Sequence, residues 1–146
     1  MKRVNKIIHH PVFAERLERL QAVEAERVFC HHDLTHLLDV ARLMWISVLE
    51  QQASLDREVV YAAALLHDLG RVDQVERGIP HHQASAELAA QILPEAGFTP
   101  EETREILQAI LNHRADGGDS ALGRLLYRAD KASRTCWCCG AKNECN

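Results

Sequence analysis

Long apolar runs are missing from this chain of 146 residues. The longest, Val59 to Leu66, has eight, far short of the roughly 18 that a membrane helix needs. No secretory leader is expected either: Met1-Lys2-Arg3 is followed by Val4-Asn5-Lys6-Ile7-Ile8-His9-His10, with neither an apolar stretch nor a cleavage site. There is no basic block. Lysine and arginine number 17 against 21 aspartates and glutamates, a formal charge of −4, which disfavours general nucleic-acid binding. Strand-like alternation, internal repeats and a linker long enough to separate domains are also absent. These absences lead to the expectation of a cytoplasmic protein with no membrane partner. The apolar fraction of 47% and charged fraction of 26% are ordinary globular values, which sets aside disorder and collagen-like repeats. A chain of this length can bury a core of its own.

What is present is helical periodicity, predicting an all-α bundle of about six helices in one domain. Pro11 suits a first helical turn, and Phe13, Leu17, Leu20 and Val23 follow at three- and four-residue spacing. Asp33 is a candidate N-cap for a second helix carrying Leu37, Val40, Ala41, Met44 and Val48. Asp56 is one for a third, through Val59, Ala62, Ala63 and Leu66 to a stop near Gly70. A fourth helix with Ala84, Leu88 and Ile92 is expected to end before Pro94. Thr99-Pro100-Glu101-Glu102 starts a fifth that runs to about His113. Leu122 to Ser133 forms the sixth, and a cysteine-rich tail follows.

Two residue types stand out. There are nine histidines, and four of the five cysteines fall in the last eleven residues. An odd cysteine count without a leader points away from a disulfide framework and towards metal or redox chemistry. His67-Asp68 ends an apolar run and so sets a nitrogen and a carboxylate at the end of a buried helix. His32 and His36 are four apart, which places both on one helical face. Asp130 falls on the sixth helix, whose inner face is Leu122, Leu126 and Ala129. Mixed imidazole and carboxylate shells suit hydrolytic divalent cations, and a helical bundle can aim such ligands inward.

The series His36, His67-Asp68, Asp130 resembles the signature of the HD-domain superfamily of metal-dependent phosphohydrolases. The flanks agree: His36-Leu-Leu-Asp-Val40-Ala41-Arg42, Ala64-Leu-Leu-His-Asp-Leu-Gly70-Arg71 and Tyr127-Arg-Ala-Asp130-Lys131, a resemblance spanning residues 28–135. It implies that these four residues hold one metal. Some members of that family bind a second through two further histidines, for which His81 and His113 are the candidates, with His82 a one-residue alternative. The site then holds one or two divalent ions, iron or manganese first, with magnesium, nickel, cobalt and zinc also compatible. Dinuclear members include diadenosine tetraphosphate hydrolases and diiron oxygenases.

Asp68 is the natural bridging ligand, since a carboxylate has two oxygens. With Arg71 and Lys131 it makes the candidate catalytic set. Arg71, Lys131 and Arg134, and less directly Arg114 and His32, are the candidates for binding phosphate oxygens.

The tail, residues 136–146, sets Cys136 and Cys139 in a Cys-x-x-Cys, with Cys145 six further on. That is half of a thiolate site for zinc or an iron–sulfur cluster. The fourth ligand is either Cys138 or Cys30. Cys30 lies six residues before His36 and Cys136 six after Asp130, so the fold implied by the resemblance brings them to one side of the bundle. Free thiols or a redox pair are the alternatives, and Trp137 is expected to pack on the body or anchor the tail.

The function expected is hydrolysis of a small phosphate ester or anhydride, a nucleotide foremost. The alternatives are a nucleotide-binding or redox- and metal-sensing module without turnover, and a diiron oxygenase. Trp45 and Ile46 give the second helix an extra apolar edge that suits either core or a homodimer contact.

Overall fold

The computed structural model describes residues 1–145. Eight α-helices follow one another: α1 (Lys2–Ile8), α2 (Pro11–Val23), α3 (Leu34–Glu50), α4 (Arg57–Leu66), α5 (Arg71–Arg77), α6 (His81–Ala96), α7 (Pro100–Asn112) and α8 (Ala121–Ala132). Two short 3-10 turns, Cys136–Cys138 and Lys142–Glu144, come after them. Among the described residues there is no strand and no helix long and apolar enough to cross a membrane.

The helices begin where side chains can satisfy their first amides. Asp33 accepts from the His36 amide, Asp56 from those of Glu58 and Val59, and Ser120 from that of Gly123. Thr99 and Glu102 form a full capping box ahead of α7.

α4 is the centre of the bundle. Val59, Val60 and every residue from Ala62 to Leu66 are buried, so it is apolar nearly all round, as a fully enclosed helix must be. Helices α1, α3, α6, α7 and α8 pack about it. The C-terminal end of α4 is therefore within reach of residues from most of the other helices.

Two short helices go beyond the periodicity. α1 buries Val4 and Ile7, and its Arg3 ties it down by ion pairs to Asp56 (2.9 Å), Glu58 (2.8 Å) and Glu102 (2.7 Å). α5 follows the His67-Asp68 turn, because α4 stops at Leu66 rather than near Gly70. α6 does not end before Pro94 but carries it inside and runs on to Ala96. The carbonyl left without a partner is that of Ala90, which is exposed and can meet water, while Leu93, Ala96 and Phe98 anchor the last turn in the core.

Two close backbone approaches fix how the loops meet the helices. A Cβ on Gly70 would run into the His81 carbonyl oxygen and the Ser85 amide, and the Gly70 amide donates to Ser85 Oγ at 2.8 Å. The start of α6 is thereby locked against the His67-Asp68 turn. Gly117, at φ +89°, lies against the backbone of Gly123 in the same way and fixes the entry of α8.

Candidate metal centre

His67 is the C-cap of α4 and His113 the C-cap of α7. Each sits where helix carbonyls run out of intrahelical amides, and each uses one. His67 Nδ1–H donates to the Ala64 carbonyl at 2.7 Å and His113 Nδ1–H to the Ile110 carbonyl at 2.6 Å. A carbonyl can only accept, so one proton is on Nδ1, and Nε2 offers a lone pair whenever the ring is neutral.

The other histidines reach the same state with other partners. His81 Nδ1 meets Gln74 Oε1 at 2.5 Å. His36 Nδ1 meets Ser133 Oγ at 3.3 Å, and that hydroxyl donates to the Asp130 carbonyl at 2.8 Å. His32 Nδ1 meets Glu24 Oε1 at 2.7 Å, while the other Glu24 oxygen accepts from the His32 amide at 2.8 Å. Five imidazoles thus turn Nε2 to one point, each held by a hydrogen bond at its far nitrogen, as metal-ligating histidines are.

Asp68 stands at that point. Its Oδ2 is 3.2 Å from His67 Nε2 and 3.6 Å from His36 Nε2. Asp130 Oδ1 closes this group, 3.5 Å from His36 Nε2 and 3.9 Å from His67 Nε2. The other oxygen of Asp68, Oδ1, is 3.4 Å from His81 Nε2 and 3.9 Å from His113 Nε2. Donors about 2.0–2.2 Å from a shared ion lie roughly 3–3.6 Å apart at tetrahedral or octahedral angles, close to these separations. The donors form two sets whose ligand atoms all lie within 4.8 Å of one another: His36, His67, Asp68 and Asp130, and Asp68, His81 and His113. Asp68 belongs to both.

The donors fit a cation for a second reason. His36 Nε2, His67 Nε2, both Asp68 carboxylate oxygens and Asp130 Oδ1 are buried without a hydrogen-bond partner, an arrangement costly for a site meant only to be structural. His81 Nε2 and His113 Nε2 face each other at 3.2 Å. With both Nδ1 atoms protonated, two lone pairs point at each other, which a cation between them would relieve.

Electrostatics agrees. Burial opposes the ionisation of Asp68, yet the His67 and Arg71 charges hold it well below the usual carboxylate range. Asp130 is likewise lowered against burial by His67. Burial also opposes a charged His67, but Asp68 and Asp130 outweigh it and raise the ring to about 10. The acidic pair demands positive charge here, and a proton on His67 or a divalent ion among the ligands answers the same demand. Burial pushes His81 down to about 3, and burial with the His67 charge pushes His113 down to about 4. Both are therefore neutral at ordinary pH, as nitrogen ligands must be.

Above the donors opens a cavity of about 220 Å³ lined by His81, His113 and Asp130 on the floor and Arg71, Arg114, Lys131 and Arg134 on the walls. Arg71 Nε is 3.0 Å from Asp68 Oδ1, and Arg134 donates to Asp130 Oδ2 at 2.9 Å. Lys131 folds over the Tyr127 ring, with Nζ 4.0 Å from its centroid.

The structure thus gathers the six expected ligand positions and four of the five candidate phosphate binders. His81, not His82, joins the cluster. His32 is placed differently from the expectation: α3 begins at Leu34, so His32 lies before the helix rather than on a face shared with His36. It is buried, with Nε2 3.8 Å from Asp68 Oδ2, and its pKa is lowered by burial. Sequence patterns give no sign of Glu24, Gln74 and Ser133, the residues that orient His32, His81 and His36. Each pair spans a break between helices, so no periodicity within one helix records it. Trp137 does not pack on the body and is 76% exposed.

Comparison with known proteins adds to this geometry. The HD domain family matches residues 33–135. A protein of Clostridium beijerinckii described only as uncharacterized is 40% identical over 146 residues, which is all of this chain and 92% of that protein. A bifunctional uridylyltransferase/uridylyl-removing enzyme of Gluconobacter oxydans is 40% identical over 57 residues, 39% of this chain and 6% of that enzyme. Among solved structures, a predicted HD superfamily hydrolase from an uncultured Thermotogales bacterium superposes with a TM-score of 0.68 at 26% identity, covering 85% of this chain and 67% of that one.

Proposed function

The chain belongs to the HD domain family, and from that premise we propose that it is a metal-dependent phosphohydrolase for a small phosphorylated substrate, a nucleotide foremost. One observation carries the reading: two donor sets share Asp68 directly beneath a cavity walled by four cationic side chains. Nitrogen and oxygen donors without a thiolate suit iron or manganese, and also magnesium, nickel, cobalt or zinc.

His36, His67, Asp68 and Asp130 would hold one ion, and Asp68, His81 and His113 a second. The chemistry such ions supply is polarisation of a phosphoryl oxygen and acidification of a water molecule. The protein's own role is positional. Arg71, Arg114, Lys131 and Arg134 meet the phosphate oxygens from the walls, where guanidinium groups match phosphate geometry in pairs. Arg71 and Arg134, tethered to Asp68 and Asp130, hold fixed positions, whereas Lys131 reaches the substrate by leaving Tyr127. His32, backed by Glu24, presents a lone pair beside Asp68 and is placed to orient a water there. A cavity of about 220 Å³ has room for a phosphate group with a small attachment. The resemblance to an enzyme named for removing uridylyl groups supports a nucleoside as that attachment.

The test is elemental analysis of protein purified without oxygen or chelators, then phosphate release across nucleotides and sugar phosphates. Near two equivalents of metal per chain at this centre, with phosphate release that tracks metal loading, is the expected result. Oxygen uptake in place of phosphate release would favour a diiron oxygenase. Nucleotide binding without turnover would favour a sensing module.

A further inference from the structure

Four of the five thiols face one cavity of about 290 Å³, apart from the metal centre: Cys30, Cys136, Cys139 and Cys145. Cys30 precedes α3, and the other three come from the far end of the chain. The tail is folded to allow this. Its two 3-10 turns are closed by the Cys138 amide on the Thr135 carbonyl and the Glu144 amide on the Ala141 carbonyl, with Ala141 buried as the anchor. On the other side Arg27 Nε holds the Cys30 carbonyl at 2.9 Å. The fifth thiol is the informative one. Cys138 lies between Cys136 and Cys139, yet its Sγ turns to the Thr135 carbonyl at 3.3 Å, and it does not line the cavity. None of the thiols is in a disulfide.

We propose that Cys30, Cys136, Cys139 and Cys145 form a tetrathiolate zinc(II) site that clasps the tail to the segment ahead of α3. A Cys-x-x-Cys with two further cysteines is the donor set of closed structural zinc. Four thiolates around a divalent ion leave two negative charges, and Arg134 and Lys142 on the cavity wall are there to meet them. Zinc–sulfur bonds of about 2.3 Å set the sulfurs roughly 3.8 Å apart. Among the described residues the thiols do not form a set mutually within 4.8 Å, so binding draws them inward. Cys136 and Cys145 are exposed and free to turn, and one change of χ1 rotamer moves Sγ by roughly 3 Å.

The site bears on its neighbour. Arg134 lines the thiol cavity and the cationic cavity and pairs with Asp130, while Ser133 orients His36. Zinc at the tail would fix the segment between the two sites.

The test uses the full chain and needs no substrate, so its failure is separate from failure of the hydrolase reading. Zinc-loaded protein should show one thiol reactive towards a thiol reagent, that of Cys138, and all five after chelation in denaturant. Cobalt(II) replacing that zinc should give the charge-transfer and ligand-field bands of a tetrahedral thiolate complex. Cys30→Ser should abolish those bands and release the remaining thiols, with helical circular dichroism retained, while Cys138→Ser should leave them unchanged. Five reactive thiols in zinc-supplemented wild type would overturn the proposal. So would bands that survive Cys30→Ser, or the visible spectrum of an iron–sulfur cluster in anaerobically purified protein. The thiol count on wild type decides the matter even where a variant fails to fold.

Discussion

The buried centre and the cysteine tail both gather potential metal donors from distant stretches of the chain, but they do so in opposite ways. At the centre every imidazole is oriented from behind, by a helix-end carbonyl, an amide, a hydroxyl or a carboxylate. The donor atoms are buried and already at ligand-to-ligand distances. In the tail, short turns carry half-buried and exposed thiols around a cavity that they have still to close. The difference is one of preorganisation. Donors on helix ends inherit the rigidity of the core, whereas donors on 3-10 turns need the ion to fix them.

The strongest way to break the centre is Asp68→Asn, which keeps the shape but removes the charge shared by both donor sets. Metal content at the centre should collapse. Phosphate release should fall by well over the roughly 10–100-fold that loss of an outer-shell partner costs, while cobalt bands at the thiols persist. Elemental analysis with a phosphate assay reads both effects, and unchanged metal content would remove Asp68 from its bridging role.

Acid should separate the centre's folding contribution from its metal. In protein stripped of divalent ions, His81 and His113 have pKa values depressed to about 3 and about 4. The unfolded chain binds protons on them first, so their contribution is complete above about pH 6.5 and is lost as pH falls through 4 to 3. His67, raised to about 10, acts in reverse: its contribution is complete below about pH 6.5 and fades as pH rises through 10. Thermal melts of the stripped protein should therefore show a stability maximum between these limits, with losses on the order of a few kcal/mol on the acid side. A flat profile from pH 7 to pH 4 would contradict it.

The smallest expected effect sharpens the comparison. Glu24→Gln leaves an oxygen to accept from His32 but takes away its charge. Metal content should stay unchanged while kcat/KM drops by about tenfold, the lower end of outer-shell effects. A fall in metal content instead would make His32 a ligand.

Much of the centre is legible in the chain itself. His36, His67, Asp68 and Asp130 stand out as donor types near helix ends or on an inner face. The resemblance to the HD-domain signature is what groups them as ligands, and the Thr99 and Asp56 caps appear as their residue types require. The residues behind the ligands are not legible. Gln74 and Ser133 meet His81 and His36 only because α5 and the end of α8 are folded beside them, and no local pattern records that juxtaposition. α1 escapes for a similar reason, since its single turn of apolar residues is held by Arg3 reaching across to α4 and α7.

By itself the sequence determined the helical class, the order of the donors and the kinds of atom they offer, because these depend on short-range periodicity and residue chemistry. Only the tertiary structure decided that His81 rather than His82 faces Asp68, that His32 enters from a loop backed by Glu24, and that Cys138 turns away while Cys30 joins the tail. Those choices depend on contacts finer than sequence spacing can express: the close approach of Gly70 to the His81 carbonyl, the Glu24 carboxylate behind His32, and the Thr135 carbonyl that takes Cys138 Sγ.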